Sequence, residues 1–197
     1  MKSLLLLPAL LVAVSLPMTT SVDLPETMGA NDWVVDSGHS GCVFQCQHAG
    51  AAWFLGTFDR VAGKVTLDPK APQDGSVSLT IDVESIDTND AKRDGHLKSP
   101  DFFNAKENPE ITFRSTKIAA DGKHLKVTGD LSMAGETKSI TIPVKWTGDG
   151  EFHGKRRGYL AEFAVKRSAF GMNYGVAQNV LSDDVKLMVS LELTQAK

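Results

Sequence analysis

Cysteine is scarce in this chain, which has only Cys42 and Cys46 among its 197 residues. Both lie in the stretch CVFQC, which predicts a strand. Residues four apart on a strand are separated by about 13 Å, whereas the Cα atoms of a disulfide lie within about 7 Å. We therefore expect no intrachain disulfide and no zinc ion shared by both sulfurs. Strand alternation points both thiols inward together with Phe44, where a thiol behaves as a small apolar group.

Positive charge is also limited. Removing the first 21 residues takes away only Lys2 and leaves 20 basic against 24 acidic residues, a net charge of −4. This balance argues against nucleic acid as a partner, because binding to its phosphate backbone requires an excess of positive charge. The cluster Lys155-Arg156-Arg157 is short, and we expect it to lie in a solvated turn.

Motifs of nucleophilic and zinc-dependent catalysis are missing, since the sequence contains neither G-x-S-x-G nor H-E-x-x-H. Asp94 and His96 lie in the run AKRDGHLKSPDFFN at 91–104, and an acid–base mechanism would have to use this pair. We expect no enzymatic activity, no cofactor and no metal. The alternative is a small-molecule enzyme or stress-response factor that uses the Asp94/His96 region.

Residues 1–21 have the layout of a secretory signal peptide. One lysine precedes an apolar run that is interrupted by Pro8 and Pro17 and followed by small and polar residues. The small-residue rule for cleavage is satisfied both at 13–15 and at 19–21. The apolar run is short for a membrane anchor, so we expect a periplasmic or secreted protein.

The remainder of the chain predicts a flexible leader at 22–31, which has no periodicity, and a single domain at 32–195. Within the domain the dominant pattern has period two, as expected for strands with one buried face. Predicted strands lie at 42–46, 54–58, 61–67, 77–83, 111–118, 124–133, 140–146, 159–167 and 185–193. Eight or nine antiparallel strands with short turns suit a sandwich or an up-and-down barrel, and a barrel also removes exposed sheet edges.

The longest segment without strand alternation is 87–109. It predicts a short helix at 89–97, capped by Asp87, Thr88 or Asn89 and ended by Ser99-Pro100. The charged residues of the run therefore lie on a helical excursion between strands, with Phe102 and Phe103 following it.

Several motifs in this order are shared with a known family. They are W-x-x-D-x-x-H-S at 33–40, F-x-x-x-H at 44–48, G-x-F at 56–58, S-I-D-T at 85–88, R-D-x-H-L-x-S-x-D-F-F at 93–103, P-x-I-T-F-x-S at 109–115, T-G-D-L at 128–131 and R-S-x-F-G at 167–171. With them the chain resembles the YceI family of bacterial polyisoprenoid-binding proteins over roughly 32–194. Each motif alone is weak, but the ordered set is specific.

The resemblance implies an all-β fold, an antiparallel eight-stranded lipocalin-like barrel with a short helical excursion near 89–97. It also implies an exported lipid-binding protein that encloses a polyisoprenoid or isoprenoid-quinone tail in an apolar cavity, for transport, storage or sequestration. The expected partners are that isoprenoid lipid or quinone ligand, a membrane in transient contact and, since two-fold dimers are the commonest assembly, a second copy of the chain.

Alternation provides candidates for ligand contact, because they share the inward face. These are Phe44, Cys46, Leu79, Ile81, Ile111, Phe113, Leu131, Ile142, Val144 and Phe163, with Phe102, Phe103 and Phe170 as end plugs. Four polar residues match family positions and are candidates for binding a phosphate or quinone head group: His39, Arg93, His96 and Arg167. The same alternation of inward-facing apolar residues occurs in a filled barrel and in a hollow one. An interaction domain with a solid core is therefore the other alternative to a lipid-binding protein.

Overall fold

The computed structural model of the protein describes residues 29–195. The predicted signal peptide at 1–21 and most of the predicted leader at 22–31 lie outside these residues. Residues 29–31 form a turn, in which the backbone N–H of Asp32 donates to the carbonyl oxygen of Gly29 over 3.0 Å. No helix among the described residues has both the length and the apolar character needed to cross a bilayer.

Eleven strands and one α-helix form the described part of the fold. They are β1 (Asp32–Val35), β2 (Gly41–His48), β3 (Ala52–Phe58), β4 (Val61–Thr66), β5 (Ser76–Asp82), β6 (Ile86–Asp87), α1 (Ala91–Leu97), β7 (Glu110–Asp121), β8 (His124–Met133), β9 (Glu136–Glu151), β10 (Lys155–Lys166) and β11 (Asp184–Thr194). Short 3₁₀ helices occur at Pro72–Asp74, Val83–Ser85 and Arg167–Phe170.

Six of the strands are halves of three bent strands. β1 leads into β2, β3 into β4 and β5 into β6, each through a short bend. β1 pairs with β4 and β2 with β3, while β4 pairs with β5 and β3 with β6, all antiparallel. Strand β11 closes the ring, since it pairs with β2 at 186–190 and with β1 at 193–194. The prediction of a closed, antiparallel, eight-stranded barrel is confirmed, with each bent strand counted once.

Hydrogen bonds fasten the bends. The hydroxyl of Ser85 donates to the carbonyl oxygen of Asp82 over 2.6 Å and accepts from the backbone N–H of Arg60 over 3.1 Å. The bend between β1 and β2 is attached to β11, because the hydroxyl of Ser40 accepts from the backbone N–H of Glu192 over 3.0 Å. The wall can therefore change direction while backbone groups that leave the strand ladder keep partners.

Some predicted boundaries are wrong, and local hydrogen bonds explain them. Val83 was expected to end a strand but begins a 3₁₀ helix, in which the carboxylate of Asp82 accepts from the backbone N–H of Glu84 over 2.8 Å. Arg167 likewise begins a 3₁₀ helix instead of ending β10. The basic cluster at 155–157 lies in β10 and not in a turn.

Helix α1 begins at Ala91, two residues later than predicted, and ends at Leu97 as predicted. Its N-cap is Asp90, whose carboxylate accepts from the backbone N–H of Arg93 over 2.9 Å. The predicted caps are therefore wrong. Asn89 adopts φ of 60°, in the left-handed region, and turns the chain into the helix instead of belonging to it.

The two ends of the barrel differ. At one end, which we call the helix end, lie α1, the β2–β3 turn and the segment 167–183 between β10 and β11. At the other, the hairpin end, lie the β7–β8 and β9–β10 turns. Strand β10 spans the barrel between them, from Lys155 at the hairpin end to Lys166 at the helix end.

Candidate functional site

An apolar cavity runs along the barrel interior as two chambers. The centre of a water-sized sphere can move within about 110 Å³ of the hairpin-end chamber and about 120 Å³ of the helix-end chamber. A single water needs only about 10–15 Å³ on this measure, so the interior is hollow. Five residues line both chambers: Ile81, Ile111, Leu131, Phe163 and Val189. We call this set the waist.

The structure places the predicted lining residues on the chamber walls, with one exception. The helix-end chamber is bordered by Phe44, Cys46, Phe102 and Phe103, the hairpin-end chamber by Leu79, Phe113, Ile142 and Val144, and the waist includes Ile81, Ile111, Leu131 and Phe163. Phe170 borders neither chamber, although it is only 2% exposed. It was predicted as an end plug, but the 3₁₀ turn directs it into the surrounding core. Contact between these residues and a ligand stays a prediction.

Other lining residues were missed by sequence reasoning. Tyr159, Ala161 and Val189 lie on strands that were predicted, and their alternation carried the signal that would have found them. Met172 and Leu181 line the helix-end chamber from an irregular segment with no periodicity, so no pattern pointed to them.

Both cysteines line the helix-end chamber and both are free thiols. Burial raises the pKa of the Cys42 thiol to about 12, so this thiol stays protonated at neutral pH. The sulfur of Cys46 lies 3.5 Å from the hydroxyl oxygen of Ser182. In this environment Cys42 contributes apolar wall and not a nucleophile.

Arg167 also lines the helix-end chamber, but its guanidinium is occupied by backbone carbonyls. It donates to Ser182 over 2.9 Å, to Met172 over 2.8 Å and to Leu181 over 3.2 Å. Burial lowers the pKa of Arg167, which is only 4% exposed. The segment 171–182 is thus folded around the Arg167 side chain, which has a structural role. Binding of a head group by Arg167 stays a prediction.

A mouth at the helix end opens beside the helix-end chamber. It encloses about 420 Å³ and is bordered by His48, Ala52, Phe54, Arg93, His96, Leu97, Phe102, Tyr174 and Leu181. Four of these residues, Phe54, Leu97, Phe102 and Leu181, also line the chamber. The mouth is therefore adjacent to the apolar interior, and these four side chains lie between the two spaces.

Arg93 is fixed at this mouth by Thr88. Its Nε donates to the Thr88 hydroxyl over 2.7 Å and its Nη2 to the Thr88 carbonyl oxygen over 2.6 Å. Asp94 accepts from the backbone N–H of Thr88 over 2.9 Å and from its hydroxyl over 2.5 Å. The guanidinium carbon of Arg93 lies over the ring of Phe54, 5.3 Å from its centroid, in a cation–π contact at the border of the mouth.

His96 has partners other than Asp94. Its Nε2 lies 2.9 Å from a carboxylate oxygen of Asp101, and its ring packs edge-on against Phe102 and Tyr174 with centroids 5.0 and 4.8 Å away. Asp94, as described, binds Thr88. The two residues that are close in sequence therefore do not form the pair that an acid–base mechanism would use.

His39 lies in the bend between β1 and β2, outside both chambers and the helix-end mouth. Its side chain is 63% exposed, and its Nδ1 lies 3.2 Å from Asp36 and 4.0 Å from Glu192. His39 therefore lies away from the cavity, and its head-group role stays a prediction. Asp36, His39 and Glu192 lie close enough together to hold a metal ion. However, the guanidinium of Arg156 lies 3.6 Å from Asp36 and 3.4 Å from Glu192, so it already balances the negative charge of the two carboxylates.

A second mouth lies at the hairpin end and was not predicted. It encloses about 300 Å³ and shares Leu67, Leu125 and Tyr159 with the hairpin-end chamber. Arg157, expected in a solvated turn, binds both carboxylate oxygens of Asp149 here, over 2.7 and 3.0 Å. Its hydrogen bond is the main reason that the pKa of Asp149 is lowered. Each end of the barrel thus has a mouth that is bordered by at least one charged side chain.

Comparison with known proteins gives concordant results. The family model described as the YceI-like domain matches residues 33–193. The chain is 39% identical over 172 residues to Protein YceI of Escherichia coli O157:H7, a match that covers 85% of this chain and 89% of that protein.

Two solved structures have the same fold. The chain is similar to BcnA of Burkholderia cenocepacia, with a TM-score of 0.74 and 28% identity over 80% of this chain and 98% of BcnA. It is also similar to a polyisoprenoid binding domain from Saccharophagus degradans implicated in plant cell wall breakdown, with a TM-score of 0.65. That match covers 83% of this chain and 98% of the domain, at 16% identity, and it shows the fold alone.

Proposed function

The chain belongs to the YceI-like family, and from this premise we propose that it is a lipid-binding protein whose barrel encloses the tail of a polyisoprenoid or an isoprenoid quinone. The protein holds the tail for transport, storage or sequestration and performs no chemistry on it. The observation that carries the proposal is the two-chamber cavity, because its walls are apolar along its length and the polar side chains Arg93 and His96 border its helix-end mouth.

The energetics of the cavity fit a hydrocarbon tail. Burial of methylene-sized groups contributes about 0.8 kcal/mol each, or roughly 3–4 kcal/mol for a five-carbon isoprene unit. Part of this is offset by the entropy lost when a flexible chain is immobilised. A tail that extends through the waist occupies both chambers, so its length and not a specific polar contact provides most of the affinity.

The polar head group belongs at the helix-end mouth. Of the four predicted candidates, Arg93 and His96 border this mouth, Arg167 is held by three carbonyl oxygens, and His39 lies outside the cavity. A phosphate accepts charge-assisted hydrogen bonds from a guanidinium, and a quinone oxygen accepts from the same donor. We therefore assign the head group to Arg93 and His96 for either class of ligand.

The proposed location of the protein rests on its N-terminal segment. The signal-peptide layout of residues 1–21 supports export to the periplasm or the medium. In that compartment an apolar tail has no stable position in water, which is the condition under which an enclosed carrier is useful. Transient contact with a membrane and a two-fold dimer belong to the same proposal.

Native mass spectrometry of the exported protein tests this function. Purified from a bacterial host and sprayed under non-denaturing conditions, the protein should carry an added mass, and solvent extraction should release an isoprenoid lipid or quinone of that mass. Protein that arrives empty and takes up neither class of lipid from detergent solution would contradict the proposal.

A further inference from the structure

Charged residues are distributed unevenly in this protein. They make up 23% of the chain, yet no Asp, Glu, Lys or Arg occurs at 37–58 or at 168–182. These are the longest uncharged stretches of the described residues. Because the outward side chains of strands and turns at a water-exposed surface normally include charged residues, two such stretches call for a structural explanation.

The two uncharged stretches meet at the helix end. The backbone N–H of Ala49 donates to the carbonyl oxygen of Val180 over 2.8 Å, and that of Ser182 donates to Gln47 over 2.9 Å. Residues from both border the helix-end mouth, including Ala52 from the first and Leu181 from the second. Two segments far apart in sequence thus combine into one uncharged surface beside the opening of the cavity.

Large apolar and aromatic side chains of the two stretches are exposed. Trp53 is 39% exposed, Leu55 57%, Tyr174 49% and Val180 41%. We call these four residues the rim. On the outer face of the sheet, Lys186 places its Nζ 4.4 Å from the ring centroid of Trp53 and supplies a cation at the margin of the rim.

The residue types of the rim fit one kind of partner. Tryptophan and tyrosine are favoured at the interface between a bilayer and water, where the ring is apolar and its polar group stays hydrated, and a neighbouring lysine can extend toward the head groups. The two uncharged stretches place no charged side chain in this contact, and charged residues of the helix end, such as Arg93 in α1, belong to other segments.

We propose that the rim docks the helix end of the barrel on a lipid bilayer, so that the helix-end mouth opens onto the membrane. This role rests on the proposed function, since a tail that passes directly between bilayer and cavity avoids transfer through water. The lipid surface is the partner, and the rim acts as a shallow interfacial contact and not as a membrane-spanning element.

Flotation of the processed protein with vesicles of phosphatidylethanolamine and phosphatidylglycerol tests the proposal. The variants are Leu55→Glu and Val180→Glu, both at exposed positions, which should leave the fold intact by circular dichroism. The matched control is Phe152→Glu, because Phe152 is 65% exposed in the β9–β10 turn at the hairpin end. Each rim variant should lower the vesicle-bound to free ratio about tenfold or more, and the control should change it by less than about twofold.

Three results would overturn the docking proposal. The first is a wild-type protein that does not float, and the second is a Phe152→Glu variant that loses binding as much as the rim variants. The third is a wild-type dimer that Leu55→Glu converts to monomer while flotation is unchanged, which would assign the rim to a second copy of the chain.

Extraction of lipid from the same preparations separates this inference from the proposed function. A protein that retains its lipid but does not float contradicts only the docking. A protein that floats through the rim but never holds a lipid contradicts only the proposed function.

Discussion

Ala161 and Ala164 lie three residues apart on β10 and face opposite sides of the barrel wall. Ala161 borders the hairpin-end chamber next to the waist residue Phe163, whereas Ala164 is exposed on the outer surface. One alanine of β10 therefore faces the cavity and the other faces the solvent. This pair can separate effects on the interior from effects on the strand.

Ala161→Phe should reduce the bound lipid, because an aromatic ring added to a chamber wall occupies space that the tail requires. We expect the fraction of lipid-loaded protein in native mass spectra to fall about tenfold, with little loss of stability since the ring enters an existing cavity. Ala164→Phe adds the same ring to the outer surface and should leave the loaded fraction unchanged. Equal loading of both variants would place the ligand outside the hairpin-end chamber.

Arg167→Met should destabilise the fold through the segment 171–182. The substitution removes three hydrogen bonds and leaves the carbonyl oxygens of Ser182, Met172 and Leu181 without this donor. We expect a loss of about 2–4 kcal/mol in the free energy of unfolding, measured by urea denaturation at constant slope.

The control for this variant is Arg114→Met. Arg114 is exposed and donates only to the hydroxyl of Ser78, over 3.0 Å, so its loss should cost about 0.5 kcal/mol or less. A similar cost for both variants would mean that the carbonyl contacts of Arg167 do not stabilise the loop.

Gly129→Ala should be destabilising because β8 approaches β7 too closely for a side chain at this position. A Cβ atom on Gly129 would lie 2.4 Å from the carbonyl oxygen of Arg114 and 2.6 Å from the ring of Phe113. Separation of the strands should cost about 1–3 kcal/mol of unfolding free energy in thermal or urea denaturation.

Gly41→Ala is the matched control, since it also replaces a strand glycine. A Cβ atom on Gly41 would meet nothing within 4 Å. This variant should be neutral or slightly stabilising, because alanine has less conformational entropy to lose on folding. If Gly129→Ala were equally neutral, β7 and β8 would have to be far enough apart at this position to accept a side chain.

Asp149→Asn should change the acid sensitivity of the protein. The hydrogen bond from Arg157 holds the pKa of Asp149 below its usual value near 3.8 in the folded state. A lowered folded-state pKa contributes stability that is present above the unfolded-state pKa and lost as the pH falls through the folded-state pKa. Wild type should therefore exceed the variant in stability at neutral pH by less than about 1 kcal/mol, because the pair is partly exposed.

That difference should disappear in acid. Urea denaturation from about pH 7 to about pH 2 should show a constant gap above roughly pH 4 and convergence below it. A gap that persists at the lowest pH would assign the effect of the substitution to packing and not to the charge of Asp149.

Much of the barrel was accessible from the sequence because strand alternation is a local signal. The inward positions Phe44, Phe113 and Ile142 were predicted from their spacing and line the chambers. Helix α1 was predicted to within two residues, because the loss of strand alternation and the presence of capping residues are also local signals. The capping residue itself was misassigned. Asn89 and Asp90 are both good capping residues, and only the backbone conformation distinguishes them.

Residues whose role depends on distant partners were harder to predict. Arg157 belonged to a basic cluster that suggested a solvated turn, but its ion pair with Asp149 across β9 and β10 places it at a second mouth. His39 and Arg167 were predicted from polar positions of the family motifs. His39 contacts Glu192 and lies outside the cavity, whereas Arg167 binds carbonyl oxygens of the segment 171–182 at the cavity wall. In both cases the partner comes from a separate segment of the chain.

An all-β domain with an apolar inward face could be predicted from residue order alone, because side-chain alternation along a strand needs no information about neighbouring strands. The folded chain was needed to show that this face encloses space instead of filling it, that the space has a waist and two mouths, and that two uncharged segments meet at one of them. These properties depend on ring closure and on contacts between residues far apart in the chain, which no local pattern specifies.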